Sequence, residues 1–285
     1  MPVSLAARNR RSAPSRTWLT LPAGDAPAPL LLWVHGGPLG SWNTWHWRWN
    51  PWLLTALGYA VLMPDPALST GYGQDFIQRG WGAWGFAPYT DLMAAVDAAC
   101  THPRVDSGRV AAMGGSFGGY MANWIAGHTD RFAAIVTHAS LWALDQFGPT
   151  TDGAYWWARE MTPEMAEHNS PHHHVENIVT PMLVIHGDKD YRVPIGEGLR
   201  LWNDLLTRSG LPADDTGATA HRYLYYPSEG HWIAAPQHVV AHVVVARDDP
   251  QDRQPPEDRP QDGREPGRPV HIKPTRRERG PHTEA

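Results

Sequence analysis

Short apolar runs alternate with longer segments of helical periodicity between residues 17 and 226. Runs of about five apolar residues are typical of strands that are buried on both faces of a sheet. Their alternation with helical segments predicts an α/β fold, with a mostly parallel sheet and helices on both faces. A further predicted strand leads into Ser116, and the others are Thr17–Leu21 at an edge, Leu30–Val34, Tyr59–Met63, Ala133–Thr137, Met182–Ile185 and Arg222–Tyr226.

Two helices stand out between these strands. The first is predicted over Asp91–Cys100, with Thr90 or Asp91 as its N-cap, and the second from about Gly196 to Arg208, where Gly210 ends it. The segment 138–180 interrupts the alternation and carries Trp142, Tyr155, Trp156 and Trp157, so we interpret it as an insertion over the active site. Residues 1–16 show no convincing period and stay unassigned.

Composition divides the chain into three parts. From Ala246 onward 18 of 40 residues are charged, 8 are proline and none is aromatic, which predicts a disordered tail over 246–285. Residues 17–245 are predicted to form the catalytic domain, preceded by the unassigned segment 1–16. The apolar pattern gives way abruptly near residue 240, which suggests a reading-frame change or truncation at that point.

Charge and cysteine usage exclude several classes of protein. The tail's nine acidic and nine basic residues cancel, so the net charge of −5 belongs to the rest of the chain and favours neither nucleic acid nor an anionic membrane as a partner. The single cysteine, Cys100, excludes an intramolecular disulfide and a cysteine-based metal cluster. No apolar stretch approaches the length of a membrane span, and we expect a cytoplasmic location.

The stretch from Arg109 to Trp124 predicts a strand, a tight turn carrying Ser116, and a helix. A serine in such a turn leaves no room for side chains two residues away on either side, and Gly114 and Gly118 provide that room. The turn directs the serine hydroxyl above the carboxyl edge of the sheet, next to a helix N-terminus. This pattern is typical of a catalytic nucleophile, although an ordinary strand-to-helix turn can share it.

Two later loops carry residues that could activate this serine. A serine hydroxyl needs a histidine to accept its proton and a carboxylate to orient that histidine. Asp188 and Asp190 follow the strand at Met182, and His231 follows the strand at Arg222. Both loops should leave the same sheet edge as Ser116.

Five motifs, in order, give the chain a resemblance to the catalytic domain of the prolyl oligopeptidase family of serine peptidases, nearest its acylaminoacyl-peptidase and dipeptidyl-peptidase branch. The resemblance covers roughly residues 17–240 and implies an α/β-hydrolase fold and hydrolysis of short peptides or N-acyl-peptides through an acyl-enzyme. The motifs are His35-Gly-Gly-Pro38, Ser69-Thr-Gly-Tyr-Gly73, Gly114-Gly-Ser-Phe-Gly-Gly-Tyr120, the segment His186–Pro194 with Asp190, and Glu229-Gly-His231.

The resemblance implies a role for individual residues. It makes Ser116 the nucleophile, Asp190 the orienting acid and His231 the general base, which implies an activity that falls as the pH drops through about 6.5. The backbone amides of Gly37 and Phe117 are implied as the oxyanion hole. No metal or organic cofactor is implied.

Two assignments near the catalytic acid have alternatives. Arg192 matches the family arginine that binds a substrate carbonyl, although a surface ion pair with Asp188 or Glu197 is an alternative. The spacing to Val193 and Pro194 favours Asp190 as the acid, with Asp188 as a loop-capping carboxylate.

Other histidines and tryptophans are assigned structural roles. His172, His173 and His174 are predicted to lie in a solvated loop rather than at a metal site, because adjacent residues point in different directions. His35 and His186 are expected to hydrogen-bond the backbone of their turns. His221, His238 and His242 lack the glycine-loop setting of His231. Core packing or contact with a neighbouring domain accounts for Trp42, Trp45, Trp47, Trp49 and Trp52.

Some family features are missing from the sequence. Fewer than 30 residues precede Leu30, so we expect the chain to lack the family's N-terminal β-propeller. One or two N-terminal strands are not visible in residues 1–16, and the helix expected after His231 breaks off. A carboxylesterase of the same fold, and an inactive remnant or binding module, therefore remain as alternatives to a peptidase.

Overall fold

The computed structural model describes residues 3–7, 15–44 and 48–238 of the 285-residue chain. Eight strands form one sheet in these residues. The strands are β1 (Val3–Ala7), β2 (Ser15–Thr20), β3 (Ala28–Val34), β4 (Ala60–Pro64), β5 (Val105–Gly115), β6 (Ala134–His138), β7 (Met182–Gly187) and β8 (Arg222–Tyr226).

The order of the strands across the sheet is β1-β2-β4-β3-β5-β6-β7-β8. The pairs β1–β2 and β2–β4 are antiparallel, and all the others are parallel. The parallel strands therefore point their carboxyl ends to one edge, where the loops after β3, β5, β7 and β8 meet. This confirms the predicted fold class.

The expectation that residues 1–16 hold no strand is wrong, since β1 lies within them. This strand pairs only with β2, at the antiparallel edge of the sheet. An edge strand does not need a continuous apolar run, so the pattern that revealed the central strands could not reveal it.

The helices are α1 to α8, with a 3₁₀ helix between α7 and α8. The sequence placed the start of α3 at Asp91, but the helix begins four residues earlier, at Ala87. The Asp91 carboxylate does not cap it; it accepts hydrogen bonds from the Ala67 amide at 2.9 Å and from Arg79 Nη2 at 2.8 Å. The bounds are α1 (Pro51–Ala56), α2 (Gln74–Gln78), α3 (Ala87–Cys100), α4 (Phe117–His128), α5 (Leu144–Thr150), α6 (Ala154–Glu160), α7 (Pro163–His168), the 3₁₀ helix (Pro171–Asn177) and α8 (Ile195–Arg208).

The sheet has apolar side chains on both faces, as the alternation along a strand requires. On β3, Leu30 and Leu32 enter the large core cluster, which also takes in α4. Trp33 points to the opposite face and packs with Trp42, where the two ring centroids are 5.6 Å apart. Core packing, one of the two expected roles, thus accounts for Trp42; Trp52 is 41% exposed.

The segment 138–180 folds into α5, α6, α7 and the 3₁₀ helix. The prediction that His172, His173 and His174 lie in a solvated loop is wrong, because they belong to this 3₁₀ helix. His172 is buried, and His174 packs against His128 and Trp124 on α4, with ring centroids 4.3 and 5.3 Å away. Packing against α4, and not the polarity of the three histidines, therefore determines their structure.

Several sequence-based expectations fall outside the described residues: the disordered tail over 246–285, the change of composition near residue 240, and the places of Trp45, Trp47 and His242. The limits of the predicted catalytic domain stay a prediction. In the part of the chain that is described, no helix is both long enough and apolar enough to cross a bilayer.

Candidate active site

Ser116 lies in a strained turn between β5 and α4. Its φ of 60° and ψ of −123° are unusual for a residue with a side chain. A Cβ on Gly114 would lie 2.3 Å from the Gly118 carbonyl oxygen, and a Cβ on Gly118 would lie 2.2 Å from the Val34 carbonyl oxygen. Only glycine fits at these two positions, so the turn presents the serine as the sequence predicted.

Asp190 and His231 come together from the loops after β7 and β8. The Asp190 Oδ2 atom lies 2.8 Å from Nδ1 of His231. Since a carboxylate only accepts, His231 carries a proton on Nδ1, which leaves Nε2 of a neutral ring as an acceptor. Oδ1 of Asp190 accepts from the amides of Arg192 and Val193, both at 2.9 Å. These bonds fix the carboxylate, which is only 2% exposed.

Asp188 points elsewhere, which agrees with the choice of Asp190 over it. Its side chain accepts a hydrogen bond from the Tyr225 hydroxyl, and this bond raises the pKa of Tyr225. This bond joins the Asp188 side chain to β8, and the expected loop-capping role of Asp188 stays a prediction.

Two buried histidines hold the turns around the site, as expected. Nε2 of His186 donates to the Val193 carbonyl at 2.8 Å. Nδ1 of His35 donates to the Gly36 carbonyl at 2.7 Å, and its Nε2 accepts from the Ser69 hydroxyl at 2.8 Å. Burial lowers the pKa of both histidines, which favours neutral rings.

A cavity of about 560 Å³ brings most of the predicted site residues together. Ser116 and His231 line it, as do Gly37, Phe117 and Arg192, while Asp190 is buried behind His231. Helices α5 and α6 contribute Phe147 and Trp157, so the segment 138–180 covers this cavity as predicted. The remaining walls include four tryptophans, Trp81, Trp84, Trp156 and Trp232.

Arg192 forms an ion pair, but with neither of the expected carboxylates. Its Nε lies 2.6 Å from Oδ1 of Asp152, and its guanidinium stacks 5.5 Å from the ring of Trp156. Both partners belong to the segment 138–180, and no sequence pattern marked Asp152 in advance.

Glu197, an expected partner of Arg192, is instead fully buried at the start of α8. It accepts from the amides of Trp142 and Ala143 at 2.7 and 2.8 Å. Burial raises its pKa to about 7, against the opposing effect of these two hydrogen bonds.

Glu160 is a cavity residue that the sequence reasoning missed. It ends α6, is 7% exposed, and accepts hydrogen bonds from Nε1 of Trp84 and, at 3.5 Å, from the amide of Gly82. Burial raises its pKa. The only signal in the sequence was its place in an aromatic stretch of the segment predicted to cover the site.

No group of three or more His, Cys, Asp and Glu side chains suited to a metal ion occurs in residues 3–7, 15–44 and 48–238. The chemistry that these residues offer is therefore that of a serine, a histidine and a carboxylate beside an aromatic cavity.

The fold and this arrangement define an α/β-hydrolase: a mostly parallel sheet, a serine in a strand-to-helix turn, and an acid and a histidine after later strands. Comparison with known proteins specifies the family. The model of the prolyl oligopeptidase family matches residues 45–247, so the match extends beyond residue 240, where the resemblance was expected to end. The chain belongs to the prolyl oligopeptidase family of serine peptidases.

Individual relatives agree with this membership. The chain is 38% identical over 222 residues to a probable dipeptidyl-peptidase 5 of Aspergillus clavatus, covering 73% of this chain and 29% of that protein. It is 32% identical over 239 residues to dipeptidyl-peptidase 5 of Porphyromonas gingivalis, covering 79% and 34%. The chain thus spans about a third of the length of these relatives.

Solved structures share the fold. The uncomplexed acylaminoacyl peptidase of Pyrococcus horikoshii superposes with a TM-score of 0.77 at 23% identity, covering 86% of this chain and 40% of that one. A puromycin-hydrolyzing peptidase of Mycobacterium tuberculosis gives a TM-score of 0.72 at 24% identity, covering 85% and 37%.

Proposed function

We propose that this chain hydrolyses short peptides or N-acyl-peptides by a serine mechanism in which Ser116 is the nucleophile. The observation that supports this most directly is the 2.8 Å hydrogen bond between Asp190 and His231, on the cavity that Ser116 also lines. The bond orients the histidine and leaves its Nε2 to accept the serine proton.

The reaction follows from these groups. Oγ of Ser116 attacks the scissile carbonyl carbon while Nε2 of His231 takes the hydroxyl proton, and the imidazolium that forms is stabilised by Asp190. The C–N bond then breaks, and the same proton passes from His231 to the leaving amine. Water, deprotonated by His231, cleaves the acyl-serine ester and returns the enzyme to its starting state.

Charge on the carbonyl oxygen needs fixed donors. We assign this role to the amides of Gly37 and Phe117, which line the same cavity. Phe117 is the first residue of α4, where amides lack partners within the helix and the positive end of the helix dipole stabilises an anion.

Arg192 is proposed to bind a substrate carbonyl at the mouth of the cavity. Its ion pair with Asp152 uses Nε and Nη2, which leaves donors on Nη1 for a peptide oxygen. The relatives named above as dipeptidyl-peptidases and acylaminoacyl peptidase support a peptide or acyl-peptide as the substrate.

Labelling with a fluorophosphonate probe tests the nucleophile without knowledge of the substrate. We expect the wild type to be labelled, and the variants Ser116→Ala and His231→Ala to lose labelling, because only a serine with its base reacts quickly. Circular dichroism checks that each variant is folded. A folded wild type that is not labelled would support an inactive remnant or binding module instead.

A second comparison separates peptidase from esterase. We expect acyl-aminoacyl or dipeptidyl amides to be cleaved as well as p-nitrophenyl esters. Cleavage of the esters alone, by protein that reacts with the probe, would identify a carboxylesterase of the same fold and contradict the peptidase proposal.

A further inference from the structure

The wall of the cavity next to the nucleophile is built from aromatic rings. Trp84 contacts Phe117 and Trp157 edge to face, with both centroid distances 5.4 Å. Phe147 continues the wall, 5.5 Å from Trp157. Because Phe117 directly follows Ser116, this wall borders the space next to the serine hydroxyl.

Glu160 places one carboxylate in this aromatic wall. Oε1 accepts from Trp84 and Gly82, whereas Oε2 has no hydrogen-bond partner in the described part of the chain. Among the residues that the structure describes, Glu160 is the only acidic one that lines the cavity. Its position next to Trp84 makes it part of the same wall.

No cation neutralises Glu160 among the residues that the structure describes. No Lys, Arg or His nitrogen lies within 4.0 Å of its carboxylate. Two arginines of the described residues line the cavity: Arg192 pairs with Asp152, and Arg159 is exposed to solvent and forms no ion pair with any described residue.

An almost fully buried carboxylate without a counter-ion is unfavourable, and burial accordingly raises the pKa of Glu160. A cation that enters the cavity would offset the unfavourable free energy of the buried negative charge. The faces of tryptophan and phenylalanine rings also attract cations, most strongly where water is excluded. The Glu160 carboxylate and the aromatic rings therefore both favour a cationic ligand.

We propose that this pocket, formed by Trp84, Phe117, Phe147, Trp157 and Glu160, binds the cationic side chain of a Lys or Arg residue in the substrate. The residue bound is the one whose carbonyl Ser116 attacks, since the wall begins at Phe117. The long aliphatic stem of either side chain would lie against the rings while its charged end reaches Glu160. This inference rests on the proposed peptidase function and specifies its substrate.

Matched substrates test the proposal on the wild-type chain. Dipeptidyl and acyl-aminoacyl coumarin amides are compared in pairs: Arg against citrulline, which is neutral and similar in shape, and Lys against norleucine. We expect kcat/KM to be at least tenfold higher for the cationic member of each pair. Equal values, or a preference for citrulline or norleucine, would overturn the proposal.

The variant Glu160→Gln tests the residue itself. Its amide oxygen can still accept from Trp84, so we expect a folded protein, which circular dichroism checks. The Arg to citrulline ratio should fall at least tenfold. The control Glu176→Gln removes an exposed carboxylate whose partner is Arg208, and it should keep the ratio of the wild type. An unchanged ratio in Glu160→Gln contradicts the inference.

Binding to the Ser116→Ala variant separates the two proposals. Calorimetry compares the dipeptides Ala-Arg and Ala-citrulline with this variant and with Ser116→Ala/Glu160→Gln. A preference for Ala-Arg that requires Glu160 supports the pocket even if the wild type is not labelled by the probe, in which case only the peptidase function fails. No preference overturns the pocket even if labelling succeeds.

Discussion

The carboxyl edge of the sheet and the segment that covers it are held in different ways. At the sheet edge, backbone packs against backbone: Gly114 and Gly118 allow main-chain atoms to approach where no side chain fits. In the segment 138–180, which covers this edge, side chains hold the main chain. Glu197 binds the amides of Trp142 and Ala143, and Ser170 accepts from the amide of Leu144 at 2.9 Å.

This difference separates the proposed chemistry from the proposed selectivity. Backbone packing tolerates almost no substitution and fixes the serine, whereas side-chain anchors can be exchanged for others of similar shape. The cavity wall that contacts the substrate can therefore vary while the turn that carries Ser116 stays the same. Three substitutions and one matched control test how far the comparison holds.

The largest effect is expected from Gly118→Ala at the sheet edge. The new Cβ would lie 2.2 Å from the Val34 carbonyl oxygen, so β3 and α4 must separate. We expect a loss of more than about 3 kcal/mol in the free energy of unfolding, measured by urea denaturation, or no soluble protein at all.

Gly148→Ala in the covering segment is the matched control, because its Cβ would have no heavy atom within 4 Å. In helix α5 this change should alter the free energy of unfolding by less than about 1 kcal/mol, because the gain in helix propensity is opposed by Pro149, which disfavours a Cβ on the residue before it. Similar losses of stability in the two alanine variants would show that the sheet edge tolerates an added Cβ as well as the covering segment does.

An intermediate effect that depends on pH is expected from Glu197→Gln, which changes an anchor of the covering segment. The folded-state pKa of about 7 lies above the ordinary value of 4.5 for a glutamate, so the folded protein binds the proton more tightly than the unfolded chain does. The stability contributed by protonated Glu197 is full below the unfolded pKa and is lost as the pH rises through about 7.

Glutamine cannot ionise, and its oxygen can accept from both amides. The variant should therefore gain on the order of 2 kcal/mol over the wild type at pH 8 and gain little at pH 4.5. Urea denaturation at the two pH values measures this. A difference between variant and wild type that does not change with pH would show that Glu197 does not titrate as described.

The smallest effect is expected from Asp152→Asn at the mouth of the cavity. The ion pair with Arg192 is 40–44% exposed on its two side chains, so water and salt screen it. We expect a change below about 1 kcal/mol in unfolding free energy. A loss as large as that of Gly118→Ala would mean that the mouth is held as firmly as the sheet edge.

The sequence was sufficient where local rules determine the structure. Strand β8 was predicted with its observed bounds, and the glycines around Ser116 indicated the turn, because both depend on near neighbours in the chain. Asp190 was preferred over Asp188 from its spacing to Val193. In the structure that spacing brings the Val193 amide onto the Asp190 carboxylate.

Contacts between distant parts of the chain could not be predicted. Asp152 and Arg192 are 40 positions apart, and Trp84 and Glu160 are 76 apart, so no local pattern pairs them. The three adjacent histidines suggested a loop in water, but packing against α4 decided their structure. The edge strand β1 was missed for a related reason. Its pairing with β2 defines it, and its own apolar content does not.

The position of β8 at the end of the sheet has a consequence for inactivation. His231 is held next to Asp190 by a loop that begins at this strand, and among the described strands β8 pairs with β7 alone. Edge elements can open without unfolding of the whole domain. Detachment of β8 would move the histidine away while Ser116 stays in its turn, so the proposed activity should disappear at a lower temperature or denaturant concentration than the signal of the core.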